Sequence, residues 1–485
     1  MKLSLAEKSS NVDVLFILME KDGKLSPAAK SALGTAAKDA EARIKAKDFE
    51  GAEGSSLALY GDGKLFKRAY LVGTGEEEKH LPQAMEKLGG SIAGLTKGAK
   101  AKKIAILVES QHLADIAHGV VLGNYSFDRY KKKDKQAVEL KQVEFINKVN
   151  AENKGVISNA NVFAAASPLT RDLVNIPAGD LTTKDLANAA KTLGGEYGMK
   201  IKILNHVQLA KLGCGALVGV GQGAEEKSKL VFIEYKHKSK SKVPNIAFIG
   251  KGVVFDTGGL NLKPTGYMET MKQDMAGAAT VLGAMQAIAE AKLSGHYLGV
   301  LSCAENAVSE GAQRPGDVVT AYNGKTIEIT NTDAEGRLCL ADAIAYTEKN
   351  YKPKVMIDIA TLTGAVSVAL GHHITGVMGN NKKLMKEVLA SSEATHERSW
   401  ELPLTEDFVK ATKGEFTDLK NSTSGVRAGS SMGGAFLKNF VKDTPWAHFD
   451  IGGTAWADKP SSTTEYGATA AALRTFLELA RRHQG

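Results

Sequence analysis

The sequence predicts an α/β protein in two parts: a smaller N-terminal α/β domain over residues 1–155 and a larger C-terminal α/β domain, with a mixed central sheet, over residues 156–485. Three observations lead there. A chain of 485 residues exceeds what one ordinary core organises. Short apolar, β-branched runs alternate with alanine-rich polar stretches through both parts, the pattern of an α/β protein. The polar interval Asn147–Asn161, with Lys154-Gly155 inside it, is the best junction, although a connecting helix could run through it.

In the first part Val12–Leu18, Ala69–Gly73 and Lys103–Val108 are expected as buried strands, and 27–47 and 82–97 as helices. Past the junction, a helix is expected from Thr183 to Leu193, capped by Thr182 or Thr183. Strands follow at Lys200–Leu204, Lys229–Tyr235, Ile246–Ile249, Tyr297–Ser302, Val355–Ile359 and His448–Ile451. Helices at 277–292, 335–349 and 468–482 interleave with them. Gly219-Val220-Gly221-Gln222-Gly223 lacks the six-position dinucleotide fingerprint, so its glycines are expected to serve loop geometry.

Composition narrows the function classes. The 43% hydrophobic and 24% charged residues are those of a soluble globular chain, and no apolar run reaches the length of a membrane span. The N-terminal stretch carries an early acid and no long apolar core, against a secretory signal. Cys214, Cys303 and Cys339 are too dispersed for a cysteine metal site and fit reduced, buried thiols in a cytoplasmic protein. A net charge of +8 is modest for this length. Its one dense run, Lys131-Lys132-Lys133-Asp134-Lys135, reads as a solvated loop more readily than as a contact for DNA.

Two segments concentrate acid and base. Gly250–Gly259 carries Lys251 and Asp256 and continues to Lys263 and to Lys272-Gln273-Asp274-Met275. The second is Asn331-Thr332-Asp333-Ala334-Glu335-Gly336-Arg337-Leu338. Charge of this density among apolar runs is costly unless it is paired or holds metal ions. Asp256 ends a buried strand at a glycine turn, where open α/β sheets build ligand sites. Asp333 and Glu335 straddle the entry to a helix beginning near Ala334, so Asp333 alone could be a simple N-cap. Taken together, Asp256, Asp274, Asp333 and Glu335 supply four negative charges, which balance two divalent cations. A lysine beside such cations either loses its proton and ligates or stays charged to polarise a carbonyl. Arg337 cannot lose its charge and therefore points to an anion.

These two segments resemble the signatures of the leucyl aminopeptidase (cytosol aminopeptidase) family, as do Ile359–Ala365 and Trp446–Trp456. The resemblance covers roughly residues 165–485; the N-terminal part carries no comparable signature. It implies two divalent metal ions, zinc or manganese, with magnesium or cobalt also compatible. One would be held by Lys251, Asp256, Asp274 and Glu335, the other by Asp256, Asp333 and Glu335. A metal-activated water is the implied nucleophile and Lys263 the group that stabilises the developing oxyanion. Arg337, with the backbone near Leu362 and Gly364, would hold a bicarbonate ion acting as general base. Met271, Thr361 and Ala455 stand where the family's apolar side-chain pocket is expected. The implied activity is release of N-terminal, leucine-like residues from short peptides by a homohexamer.

Two departures from the family pattern stand out: Ala470 where a glycine is common, and Ile451-Gly452-Gly453 in place of Ile-Ala-Gly. The carboxylates alone would also suit another two-metal hydrolase, such as a phosphoesterase. DNA remains a secondary partner that the basic charge allows.

Overall fold

One helix, Ala151–Asn175, runs through the interval expected to join the two parts. The computed structural model describes residues 1–423 and 425–485. The chain divides within that helix into one unit of Met1–Ala165 with Asp458–Tyr466, and another of Ala166–Ala457 with Gly467–Gly485. The division thus falls after Ala165 instead of after residue 155. The return of Asp458–Tyr466 to the first unit has local causes. Lys97 Nζ pairs with Glu465 Oε1 at 3.1 Å, and Ser126 Oγ donates to the same oxygen at 2.8 Å. Gly90 and Gly123 leave room for the Ser462 carbonyl, which a Cβ would meet at 2.4 and 2.7 Å.

The first unit holds a six-stranded sheet. Its order is Lys2–Ala6, Gln142–Ile146, Lys103–Leu107, Val12–Glu20, Phe66–Gly75 and Ser56–Tyr60, parallel except for the last pair. Helices Pro27–Leu33, Ala37–Lys45, Pro82–Gly98 and Leu113–Asn124 connect the strands. Leu15, Ile17, Ala69, Leu71 and Ala105 are fully buried in its core. Lys131–Lys135 is exposed, with Lys131 paired to Asp128 at 2.7 Å.

The second unit is built on an eight-stranded mixed sheet. Its centre is four adjacent parallel strands: Trp446–Asp450, Met356–Ala360, Ile246–Asp256 and Gly295–Asn306. Antiparallel neighbours, Thr375–Gly379 on one side and Lys229–His237 followed by Lys200–Asn205 on the other, lead to the edges. Near-continuous apolar runs such as Ile246–Ile249 and Tyr297–Leu301 suit strands covered on both faces. Helices Ala276–Glu290 and Gly336–Tyr351 bury one of their broad faces against this sheet. Close approach is bought with missing side chains: a Cβ on Gly277 would lie 2.2 Å from the Ile359 carbonyl.

Several expectations are corrected. The strand begun at Ile246 runs on to Asp256, carrying both Lys251 and Asp256, because its continuation pairs with Gly295–Asn306. The helix expected at 335–349 starts at Gly336, with Glu335 as its first flanking residue, and Asp333 does not cap it. Gly219–Gly223 is not a loop: a helix, Gly215–Val220, passes into a helical turn. There Gly219 and Gly221 make way for Gln313 and Ser228. The last helix begins at Leu473, not at 468, since Gly467–Ala468 pairs with Trp456–Ala457 and Ala472 is left-handed at φ 62°.

Ala470 shares that left-handed conformation, also at φ 62°, and is buried. The family's glycine at this position therefore has a backbone reason, and alanine here is strained by about 1–2 kcal/mol. Ala470→Gly relieves that strain while adding about 0.4–1 kcal/mol of unfolded-chain entropy. The substitution should raise stability by roughly 0.5–1 kcal/mol in denaturant titration, and a fall would contradict the strain.

Candidate active site

The carboxyl ends of three of the parallel strands, Ile246–Asp256, Met356–Ala360 and Trp446–Asp450, converge on one cavity of about 490 Å³. Asp256 closes its strand, and its cross-strand partner is Asn306. Asp274 sits on a short helical turn, Met271–Met275, that leads into the helix Ala276–Glu290. Asp333 and Glu335 come from the turn before Gly336–Tyr351. Carboxylate oxygens of Asp256, Asp333 and Glu335 all lie within 4.8 Å of one another. Asp256, Asp274 and Glu335 are 2–3% exposed, so this is a buried carboxylate cluster and not a surface patch.

Two lysines knit the cluster together. Lys251 Nζ lies 2.7 Å from Asp274 Oδ1 and 2.6 Å from Glu335 Oε1, and donates to the Thr361 carbonyl at 2.9 Å. Lys263 Nζ lies 2.9 Å from Asp256 Oδ2 and 2.6 Å from Asp333 Oδ1. Burial pushes the carboxyls of Asp256, Asp274 and Asp333 above the usual range, with repulsion from neighbouring carboxylates adding to it. Burial works the other way on the lysines. It is outweighed at Lys251 by Asp274, Glu335 and Asp256, and at Lys263 by Asp256 and Glu335, so both ammonium groups are favoured.

The donor set fits divalent cations. Asp274 Oδ2 is buried and accepts no hydrogen bond. Asp333 Oδ1 and Glu335 Oε1 face the ammonium groups at ion-pair distance without an aligned hydrogen bond. Oxygens so placed, hard and anionic, are what zinc, manganese or magnesium take as ligands. The glycines of the two segments have steric work here. A Cβ on Gly336 would sit 2.7 Å from Lys251 Nζ, and Gly258, at φ 84°, turns the chain beside Asp333.

A supporting layer was not visible in the sequence. Asn306 Nδ2 donates to Asp256 Oδ1 at 2.8 Å and to the Thr332 carbonyl at 3.0 Å. Thr332 Oγ1 donates to the Gly258 carbonyl and accepts from Asn261 N, tying the two segments together. Asn421 receives Thr330 N and donates to the Asn331 carbonyl. Asp450, at the end of its strand, accepts from Leu362 N (3.2 Å), Thr363 N (3.4 Å), Gly452 N (3.2 Å) and Thr363 Oγ1 (2.6 Å). Gly452 belongs to this contact, because a Cβ there would meet the Thr363 carbonyl at 2.5 Å. Beneath it, buried Asp358 accepts from Trp446 Nε1 and contacts His448 Nδ1, each at 2.6 Å. Only the strand-end position of Asp450 could have marked it beforehand.

Of the residues expected from sequence, Lys251, Asp256, Lys263, Met271, Asp274, Asp333, Glu335, Thr361, Leu362 and Gly364 all line the cavity. Thr361 has a polar task as well, its Oγ1 donating to Asp274 Oδ1 at 2.7 Å. Ala455 is 2% exposed and stands outside that lining. Arg337 is partly buried and donates through Nη1 to the Asn421 carbonyl at 2.8 Å. Burial lowers its pKa, but a guanidinium stays charged. The cysteines are free and buried.

Comparison with known proteins identifies the family. Residues 168–477 match the catalytic domain of the cytosol aminopeptidase family, and residues 14–134 match that family's N-terminal domain. A probable cytosol aminopeptidase of Protochlamydia amoebophila is 39% identical over 98% of this chain and 97% of its own. One from Bradyrhizobium is 40% identical over 93% of this chain and 92% of its own. Among solved structures, the bottromycin maturation enzyme BotP in complex with Mn superposes with a TM-score of 0.84 at 29% identity, covering 97% of this chain and 99% of that one. No helix among the described residues is long and apolar enough to cross a membrane. A metal-dependent peptidase is therefore the reading, not a phosphoesterase: the chain belongs to the cytosol aminopeptidase family.

Proposed function

We propose that the chain is a bicarbonate-assisted, two-metal leucyl aminopeptidase acting on short peptides. The observation that carries this is the convergence of Asp256, Asp274, Asp333 and Glu335 on one cavity beside Lys251 and Lys263. Lys251, as the neutral amine, with Asp256, Asp274 and Glu335 would hold one ion, and Asp256, Asp333 and Glu335 the other. Two such ions supply a water of lowered pKa and a Lewis acid for the scissile carbonyl. Lys263, whose carboxylate neighbours favour its charged form, directs that charge at the carbonyl oxygen as it becomes anionic. Arg337 would hold a bicarbonate anion with the backbone of Leu362 and Gly364, which line the cavity, and the anion would supply a proton acceptor there.

Met271 and Thr361 on the cavity wall support a preference for leucine-like and methionine-like side chains. The family resemblance extends the reading to a cytoplasmic homohexamer whose enclosed sites admit only short peptides. DNA is not favoured as a second partner, because Lys131–Lys135 is an exposed segment already partly paired. Asp450 is a positioning residue in this scheme: it fixes the Leu362–Thr363 backbone that faces the cavity.

Leucine p-nitroanilide turnover should vanish with a chelator and return with manganese or zinc. Asp274→Ala, reloaded in the same way, should lose about 100-fold or more, since even residues behind metal ligands cost 10–100-fold. Full activity of the reloaded variant would remove Asp274 from the metal site. In carbonate-free buffer the wild type should slow and recover on adding bicarbonate. Arg337→Ala should be slow in both buffers, and a variant that still responded to bicarbonate would exclude Arg337 as its anchor. Asp450→Asn should lower kcat by about 10–100-fold with metal content and KM little changed. Loss of bound metal instead would make Asp450 part of the cage.

A further inference from the structure

A second cavity, of about 530 Å³, lies wholly within the first unit. It opens at the carboxyl ends of the parallel strands, where the chain order reverses. From Val12–Glu20 the chain proceeds to Phe66–Gly75 on one side; after the helix Pro82–Gly98 it crosses to Lys103–Leu107 on the other. Open parallel sheets leave a crevice at such a reversal, and ligands settle there. The volume falls in the range of small-molecule pockets.

Its lining is built for a ligand and not merely left open. Thr74 is 7% exposed, and its Oγ1 has no hydrogen-bond partner. Both ring nitrogens of His80 are likewise shielded and unpartnered. Buried polar atoms without partners cost about 1–3 kcal/mol each, so three in one wall call for a group that satisfies them. His112 stacks edge-on against His80 with ring centroids 5.2 Å apart, giving the wall a rigid aromatic corner. Leu18, Met19 and Val108 supply the apolar floor.

The charge of the lining selects the ligand. Glu7, Glu20 and Glu109 face the cavity against a single Lys148, and none of the three acids makes an ion pair among the described residues. The catalytic cluster shows the contrast, since lysines pair its acids at 2.6–2.9 Å. An excess of unpaired carboxylate around a half-apolar cavity attracts a cation and repels phosphate. We propose that this cavity is a second ligand site, taking a small molecule that carries a primary ammonium group, with Glu20 and Glu109 on the ammonium and Thr74 and His80 on its polar remainder. Free amino acids and aliphatic diamines share that chemistry.

The test is calorimetric titration of the full chain in its metal-depleted Asp274→Ala form, so that amine binding at the catalytic centre does not contribute. Probes are L-arginine, L-leucine, 1,5-diaminopentane and, as an anionic control, AMP. At least one amine should bind one-to-one. Glu20→Gln with Glu109→Gln, both at exposed positions, should weaken it about tenfold or more, and Thr74→Val should weaken it in parallel. A preference for the amino acids over the diamine would identify the polar remainder as a carboxylate. No heat with any amine at 10 mM, binding unchanged in the Glu20/Glu109 variant, or AMP binding in place of the amines would each overturn the proposal. Unfolding curves that overlay the parent's keep a folding defect from being mistaken for lost affinity.

Discussion

Everything around the catalytic centre answers one constraint: three carboxylates, Asp256, Asp274 and Glu335, are held where water cannot screen them, with Asp333 at their rim. Isolated, each would cost several kcal/mol to bury ionised. The chain meets that cost with opposite charge at close range, Lys251 between Asp274 and Glu335, and Lys263 between Asp256 and Asp333. Neither lysine comes from the element that carries its partners. Lys251 is inside a strand and Lys263 in the loop beyond it, whereas Glu335 and Asp333 precede a helix about seventy residues later. Charge pairing and fold are therefore the same problem, because the cluster exists only when those elements are together.

The fold solves it by close approach. Gly250 and Gly277 bring the helix Ala276–Glu290 onto the strand that bears Lys251, and a side chain on either would strike backbone within 2.5 Å. Gly336 does the same for the helix behind Glu335, against the stem of Lys251 itself. Asn306, Thr332 and Asn261 then bind the two acidic segments with neutral hydrogen bonds. Neutral donors add no charge to a cluster whose balance is already fixed, and these three residues contribute only amide and hydroxyl groups.

Much of this was legible beforehand. The α/β alternation, the central strands and the residues of the two charged segments follow from apolar periodicity and from the density of acid and base at glycine turns. The supporting layer was not. Asn306, Asn421 and Asp450 lie 26 to 91 residues from the Thr332, Thr330 and Leu362 groups they hold, and a lone amide or acid at a strand end has no distinguishing pattern. Nor was the return of Asp458–Tyr466 to the first unit, which rests on two glycines and one ion pair far apart in sequence. The left-handed Ala470 was visible only as a departure from glycine; its φ turns that departure into a statement about strain.

The two units use one architectural device to opposite electrical effect. Each places acids at the carboxyl ends of parallel strands, where backbone geometry leaves a crevice. In the second unit three of the four acids are buried and all four are within ion-pair reach of a lysine, so the site is a paired cage that only a stronger cation can reorganise. In the first, the acids stand at an open rim with no such partners, while neutral polar atoms are the ones shut inside. A dication suits the first arrangement, since it must displace ammonium groups from several oxygens at once. A weakly charged organic cation suits the second, since it meets single carboxylates that water still partly screens. On the two proposals, burial and lysine pairing, and not the number of acids, would separate a metal centre from an amine pocket in this chain.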